Sequence, residues 1–274
     1  MRRLFLILSI FSVISFANTF DQIKSKNEIR IGVRKAFAPL GSYDGSNFVG
    51  FEVELAKSIS KKVFGDNIKI TFIGMDAKDR IPMLEKNQVD LVMAAFAVNN
   101  QRRAKVDFSI PYLTTNMSVL SKDSGSLKQL SDFKGKRLLY IKGTTNDTYI
   151  QENPVMFSSM NLITCENLND CFNNLKAGKA DGIFHVILSL GAIPILDSRY
   201  TITVPIVGNH DFVAAAVSKG NNKLLDAVND SIFKLSSEGF FKKAYESTFT
   251  VYYKGTLDKK YFLLDDVYRQ FMLN

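Results

Sequence analysis

Arg102 stands just past an apolar run at residues 90–94, and Gly143-Thr144-Thr145 follows a second such run at 138–142. Both suit one chemistry, the grip of a carboxylate. A planar guanidinium holds a carboxylate in two parallel charge-assisted bonds. A Gly-Thr-Thr turn that ends a strand and opens a helix offers free backbone N–H groups and hydroxyls to the same kind of anion, although a Thr there also serves as a plain helix cap. Arg103, beside Arg102, reads as surface charge. The only histidines, His185 and His210, are far apart in sequence, and no His or Cys spacing matches a metal site. The residues therefore favour binding over catalysis, with no cofactor and no metal.

These groups need strand ends and helix starts to position them, and the patterning supplies both. Residues 29–33, 68–73 and 90–94 read as strands. Val53, Ala56, Ile59, Ser60, Val63 and Phe64 form one helix face, and 81–87 is a short helix with Pro82 in its first turn. The order then repeats: strands at 138–142 and 160–164, a helix at 168–177 and a strand from Gly182. Glu85-Lys86-Asn87-Gln88-Val89-Asp90-Leu91 and Lys176-Ala177-Gly178-Lys179-Ala180-Asp181-Gly182 are one helix–turn–strand device used twice. A strand at 212–218 and helices at 221–235 and 238–249 follow. The alternation predicts an α/β protein with two similar lobes and mainly parallel sheets.

The chain has 274 residues, 46% apolar and 23% charged, enough for two lobes with ordinary cores. Arg2-Arg3 precede an apolar stretch at 4–16, and Ser15-Phe16-Ala17 puts small residues where a signal peptidase reads. Residues 1–17 are therefore expected to be a cleaved secretory signal, since the stretch falls well short of the ~20 residues needed to span a membrane. The net charge of +8 comes from scattered lysines and arginines, so it implies solubility and attraction for anionic ligands, with no nucleic-acid partner. In an oxidising compartment, Cys165 and Cys171 either form a disulfide or remain two small buried hydrophobes.

Gly50-Phe51-Glu52-Val53-Glu54-Leu55-Ala56, followed by Asp107-Phe108-Ser109-Ile110-Pro111-Tyr112, resembles the signature of bacterial extracellular solute-binding proteins, family 3, which feed polar amino acids to ABC importers. The resemblance runs to about Phe249. It implies a two-lobed periplasmic binding protein of type II topology with a cleft between lobes. Lobe 1 is then 18–114 with 208–249, lobe 2 is 115–207, and the crossings fall near 111–119 and 203–211. Residues 250–274 form a C-terminal extension. It also implies a periplasmic monomer that presents its ligand to a membrane permease. Arg102 occupies the position of the family's carboxylate-holding arginine. Residues 77–84 resemble the glutamate-, aspartate- and glutamine-binding subgroup, in whose acidic-ligand members arginines at the positions of Arg34 and Arg80 reach a side-chain carboxylate. Three converging arginines demand a doubly anionic ligand. The plain alternatives are surface charge for Arg34 and pairing with Asp79 or Glu85 for Arg80. Phe37 matches an aromatic pocket wall, with core packing as its alternative.

Two positions depart from the family. Where it usually carries Thr or Ser, two residues after Ala95, this chain has Ala97. Where it carries an Asp, five residues after Asp181, this chain has Val186. Those groups accept hydrogen bonds from the ligand's α-ammonium, and an ammonium buried without acceptors costs several kcal/mol. Strand alternation turns the adjacent His185 to the opposite face. The departures leave room for an ammonium-free dicarboxylate, an amino-acid derivative, or a surface antigen on the same fold. Some relatives dehydrate prephenate-like acids, but the nearest candidates for acid–base chemistry, Glu52 and Asp181, both fit structural roles.

Overall fold

Strands at the two ends of a shared sheet carry the two lobes. The computed structural model describes residues 18–122 and 125–263, so the expected signal at 1–17 and the tail beyond 263 lie outside the described residues. The main sheet contains β1 (Glu28–Arg34), β2 (Lys69–Met75), β3 (Leu91–Met93), β4 (Val106–Lys122), β5 (Arg137–Ile141), β6 (Asn161–Cys165), β7 (Gly182–Val186) and β8 (Tyr200–Ser218). Its order is β2-β1-β3-β8-β4-β7-β5-β6. β1 runs parallel to β2 and β3, and β5 parallel to β6 and β7. Each lobe thus places its own first strand between its second and third. β4 and β8 are antiparallel to each other over most of their length and pass from one lobe to the other. Register shifts interrupt the pair, among them one between Val207 and Asp211 and one between Val213 and Ala214. Bulges of this kind bend paired strands, here where the chain passes between lobes.

The helix Phe51–Phe64 buries Phe51, Val53, Leu55, Ala56 and Ile59 against the first lobe's sheet. Its start needs Gly50. That residue has φ 125°, and a Cβ there would meet the Pro39 and Leu40 carbonyls at 2.7 and 2.5 Å. Those two carbonyls instead accept the helix's first N–H groups, from Phe51 and Glu52, at 2.9 Å each.

The repeated helix–turn–strand device has a physical content that the pattern alone did not disclose. Asn87 and Gly178, at equivalent places, both take positive φ. Three residues on, Asp90 accepts from the Arg30 backbone N–H at 2.8 Å and from its guanidinium at 2.6 and 3.1 Å. Asp181 does the same for Arg137, at 2.8, 3.0 and 3.2 Å. Each Asp ties the start of its lobe's first strand to the start of its third. Asp181 therefore has a structural task, away from the cleft.

Residues 250–263, the described part of the expected extension, bridge the lobes. The Tyr253 hydroxyl donates to the Leu188 carbonyl at 2.7 Å, and the Phe262 carbonyl accepts from the Thr114 N–H at 2.9 Å. Cys165 and Cys171 stand 5.3 Å apart at Cα, sulfur against sulfur, in position for a disulfide.

The twin Arg–Asp pairs differ in burial. The Asp90 side chain is 0% exposed and that of Asp181 is 31% exposed. Asp90→Ala should therefore cost about 1.5–3 kcal/mol, since it removes a buried carboxylate that accepts charge-assisted bonds from Arg30 and a bond from the Asn18 amide. Asp181→Ala should cost only about 1 kcal/mol. Urea unfolding of the two variants tests that ranking.

Candidate functional site

The loop leaving β3 at its carboxyl end organises the site. Ala95 takes φ 51°, rare for a residue with a Cβ. Its N–H donates to both oxygens of Glu52, at 2.8 and 2.9 Å, while the Tyr112 hydroxyl donates to the same carboxylate at 2.5 Å. Glu52 is wholly buried, and burial raises its carboxyl above the ordinary value of 4.5 against the pull of these bonds. Glu52 is thus a positioning group for the 94–97 turn, a role fitting its place in the first turn of a helix.

That turn presents carbonyls to two arginines. Arg80 Nε donates to the Ala94 carbonyl at 2.8 Å, and Arg102 Nη1 donates to the Ala97 carbonyl at 2.5 Å. Both guanidiniums lie 5.2 Å from the ring centroid of the buried Phe96, within cation–π range. Arg102 is the third residue of the short helix Asn100–Arg103, whose cap, Asn99, accepts the Arg102 N–H at 2.8 Å. Among the described residues neither arginine forms an ion pair, so the pairing of Arg80 with Asp79 or Glu85 weighed above is not what the structure holds. Arg34, at the end of β1, places its guanidinium 5.2 Å from the Phe37 ring, and its buried Nε has no hydrogen-bond partner.

The three cations share one region. Burial pushes Arg80 down to about 9, with Arg34 and Arg102 adding repulsion. Burial also lowers Arg34 and Arg102, opposed chiefly by Asp76 and Asp211 respectively. All three stay positive at neutral pH, and their unused N–H donors make an anion-seeking surface.

The second lobe faces them with the turn at 143–145. Thr144 precedes the helix Thr145–Glu152. Its hydroxyl is turned inward, donating to the Ile141 carbonyl at 2.5 Å and lying close to Asn146 Oδ1. The Gly143 N–H is taken by Asp147 at 2.7 Å. What this turn has to offer an anion is therefore the helix's free N–H groups and Thr145, less than the two hydroxyls read from the sequence.

Arg34, Phe37, Arg80, Ala95, Ala97, Arg102, Thr144, Thr145 and Val186 all line one cavity of about 520 Å³ between the lobes. His185 lines it too, contrary to the alternation argument. β7 ends at Val186, which caps a new short helix, so the period of two stops there. His185 Nδ1 accepts the Val186 N–H at 2.9 Å, and burial pushes the imidazole down to about 4, keeping it neutral. Thr115, Asn99 and Asp211 also line the cavity and were not singled out from sequence. Thr115 lies within one expected crossing and Asp211 at the edge of the other, which are the signals the sequence offers for them.

Two α/β lobes joined by a pair of long strands, with a cation-lined cavity between them, define a two-lobed ligand-binding protein. The chain belongs to the bacterial extracellular solute-binding proteins, family 3, whose family model matches residues 29–251. It is 28% identical over 232 residues to the ABC transporter glutamine-binding protein GlnH of Bacillus subtilis, covering 84% of each chain. The crystal structure of a cysteine-binding protein from Campylobacter jejuni matches with a TM-score of 0.74 and 30% identity, over 89% of this chain and 98% of that one. A solute receptor for L-cysteine of Neisseria gonorrhoeae matches equally well, over 90% and 99%.

Glu52→Ala should take the shared acceptor from the Ala95 N–H and the Tyr112 hydroxyl and cost about 3 kcal/mol, whereas Glu52→Gln should cost less. Because its carboxyl is raised on folding, the stability contributed by Glu52 is complete below pH 4.5 and lost as pH rises through its folded value. Glu52→Gln should remove that fall from urea-unfolding profiles taken across pH.

Proposed function

We propose that this chain is the periplasmic substrate-binding component of an amino acid ABC importer. It captures an acidic or polar amino acid in the interlobe cleft and delivers it, as a monomer, to a membrane permease. Lobe 1 is 18–114 with 208–249, lobe 2 is 115–207, and 1–17 is the signal that sends it across the inner membrane. The proteins it resembles bind glutamine or cysteine by their names, which supports an amino acid ligand. The observation that carries the reading further is the set of three guanidiniums on one cavity without ion-pair partners among the described residues. Arg102 holds the main carboxylate, assisted by the turn at Thr144 and Thr145, and Arg34 and Arg80 hold a second anionic group. Phe37 walls the pocket beside Arg34.

The lobes close on the ligand because the bound anion bridges cations of the first lobe and helix N–H groups of the second. Its affinity then stabilises the closed form. A second reading, an ammonium-free dicarboxylate, is favoured by Ala97 and Val186, neither of which offers a side-chain acceptor.

A thermal-shift screen of the chain from residue 18 onward, against amino acids and dicarboxylates, tests the proposal. Glutamate or aspartate should raise the melting temperature, equivalent to ~2.7 kcal/mol at a hundredfold excess over the dissociation constant. Arg102→Ala should abolish the shift. No shift with any member of either set contradicts the proposed function.

A further inference from the structure

An α-amino acid brings an ammonium as well as a carboxylate, and the two positions where this family places side-chain acceptors are Ala97 and Val186. The cavity nevertheless contains a carboxylate, that of Asp211. Asp211 lies on β8 where it runs between the lobes, directly opposite Thr115 on β4. Directly opposed residues of an antiparallel pair project to the same face with Cβ atoms about 5 Å apart. That face is the cavity, which both residues line. Thr115 is 4% exposed, and its hydroxyl oxygen is buried without a hydrogen-bond partner. A buried hydroxyl left unpaired is costly, so its lining position points to a partner that arrives with the ligand.

The same strand ties this pair to the turn that holds the arginines. Ala97 bridges Val213, the Val98 N–H donates to the Phe212 carbonyl at 2.9 Å, and the Ala214 N–H donates to the Phe96 carbonyl at 3.2 Å. Val213 shares a face with Asp211 two residues away. Asp211 therefore sits next along the strand from the missing acceptor at Ala97. Among the described residues its carboxylate makes no hydrogen bond or ion pair, although Arg102 is close enough to act on it through space. Burial raises its carboxyl while Arg102 opposes the rise.

We infer that Asp211 and Thr115 form the ammonium-binding subsite, so that acceptors lost at Ala97 and Val186 are replaced from the two strands that join the lobes. The inference rests on the amino acid reading above. Three guanidiniums and one carboxylate match an α-amino dicarboxylate, which carries two anionic groups and one cation. The placement also makes ammonium recognition independent of Val186, which belongs to the second lobe.

Calorimetric titration with paired probes tests this: L-glutamate against glutarate, and L-aspartate against succinate, each pair differing only in the ammonium. The wild type should prefer the amino acid of a pair. Asp211→Asn should weaken the amino acid by roughly 10- to 100-fold, the range for a lost charge-assisted bond, and leave the ammonium-free acid unchanged or tighter. Thr115→Val should act in the same direction more weakly. Arg102→Ala should weaken both members of a pair. Retained binding of glutarate or succinate by Asp211→Asn shows that the variant is folded. A wild-type preference for the ammonium-free acid overturns the subsite while leaving carboxylate capture intact. So does an Asp211→Asn variant that loses both probes equally or neither. Binding of no probe by the wild type overturns the subsite, and it overturns the proposed function as well only if the full thermal-shift screen also finds no ligand.

Discussion

One buried carboxylate holds the site together. Glu52 accepts the Ala95 N–H with both oxygens and the Tyr112 hydroxyl with one. In doing so it keeps Ala95 in a left-handed conformation that a residue with a Cβ rarely adopts. The turn held in this way aims the Ala94 and Ala97 carbonyls at Arg80 and Arg102. Two of the three guanidiniums of the cleft therefore depend on one group on the helix Phe51–Phe64, and that helix depends in turn on the glycine before it.

Burial costs the arginines part of their proton affinity, and they repel one another. The compensation in the described protein comes from backbone carbonyls, the shared face of Phe96, and the carboxylates of Glu52, Asp76, Asp79 and Asp211 acting at a distance. An anion arriving at a cluster of this kind offsets its mutual repulsion. The lobes themselves are fastened by the β4–β8 pair and by residues 250–263, which contact Leu188 on one side and Thr114 on the other.

Much of this was legible in the sequence, because the signals were local. Strand–helix alternation with a repeated Asp-ended turn disclosed two lobes, and the strands read at 29–33, 138–142 and 160–164 are present with slightly different ends. The nine cleft residues were placed through resemblance, which carries long-range geometry that periodicity cannot. What escaped has physical reasons. The reach of β4 and β8 through both lobes is set by pairing between distant segments, not by local pattern. His185 was turned the wrong way because a helix start at Val186 ends the strand period. The sequence offers the Thr144 hydroxyl to an anion or to a cap, but the Ile141 carbonyl three residues back takes its proton. Asp211 has little local signal because only register with Thr115, more than ninety residues earlier in the chain, brings it to the cleft.

The central claim is that Arg34, Arg80 and Arg102 together select a second negative charge on the ligand. L-glutamate and L-glutamine have nearly the same shape and differ in that charge, so titrating both into the wild-type protein is the most direct test. Glutamate should bind more tightly by at least about tenfold, the value of a charge-assisted contact over a neutral one. Glutamine binding as tightly as glutamate, or more tightly, would contradict the account.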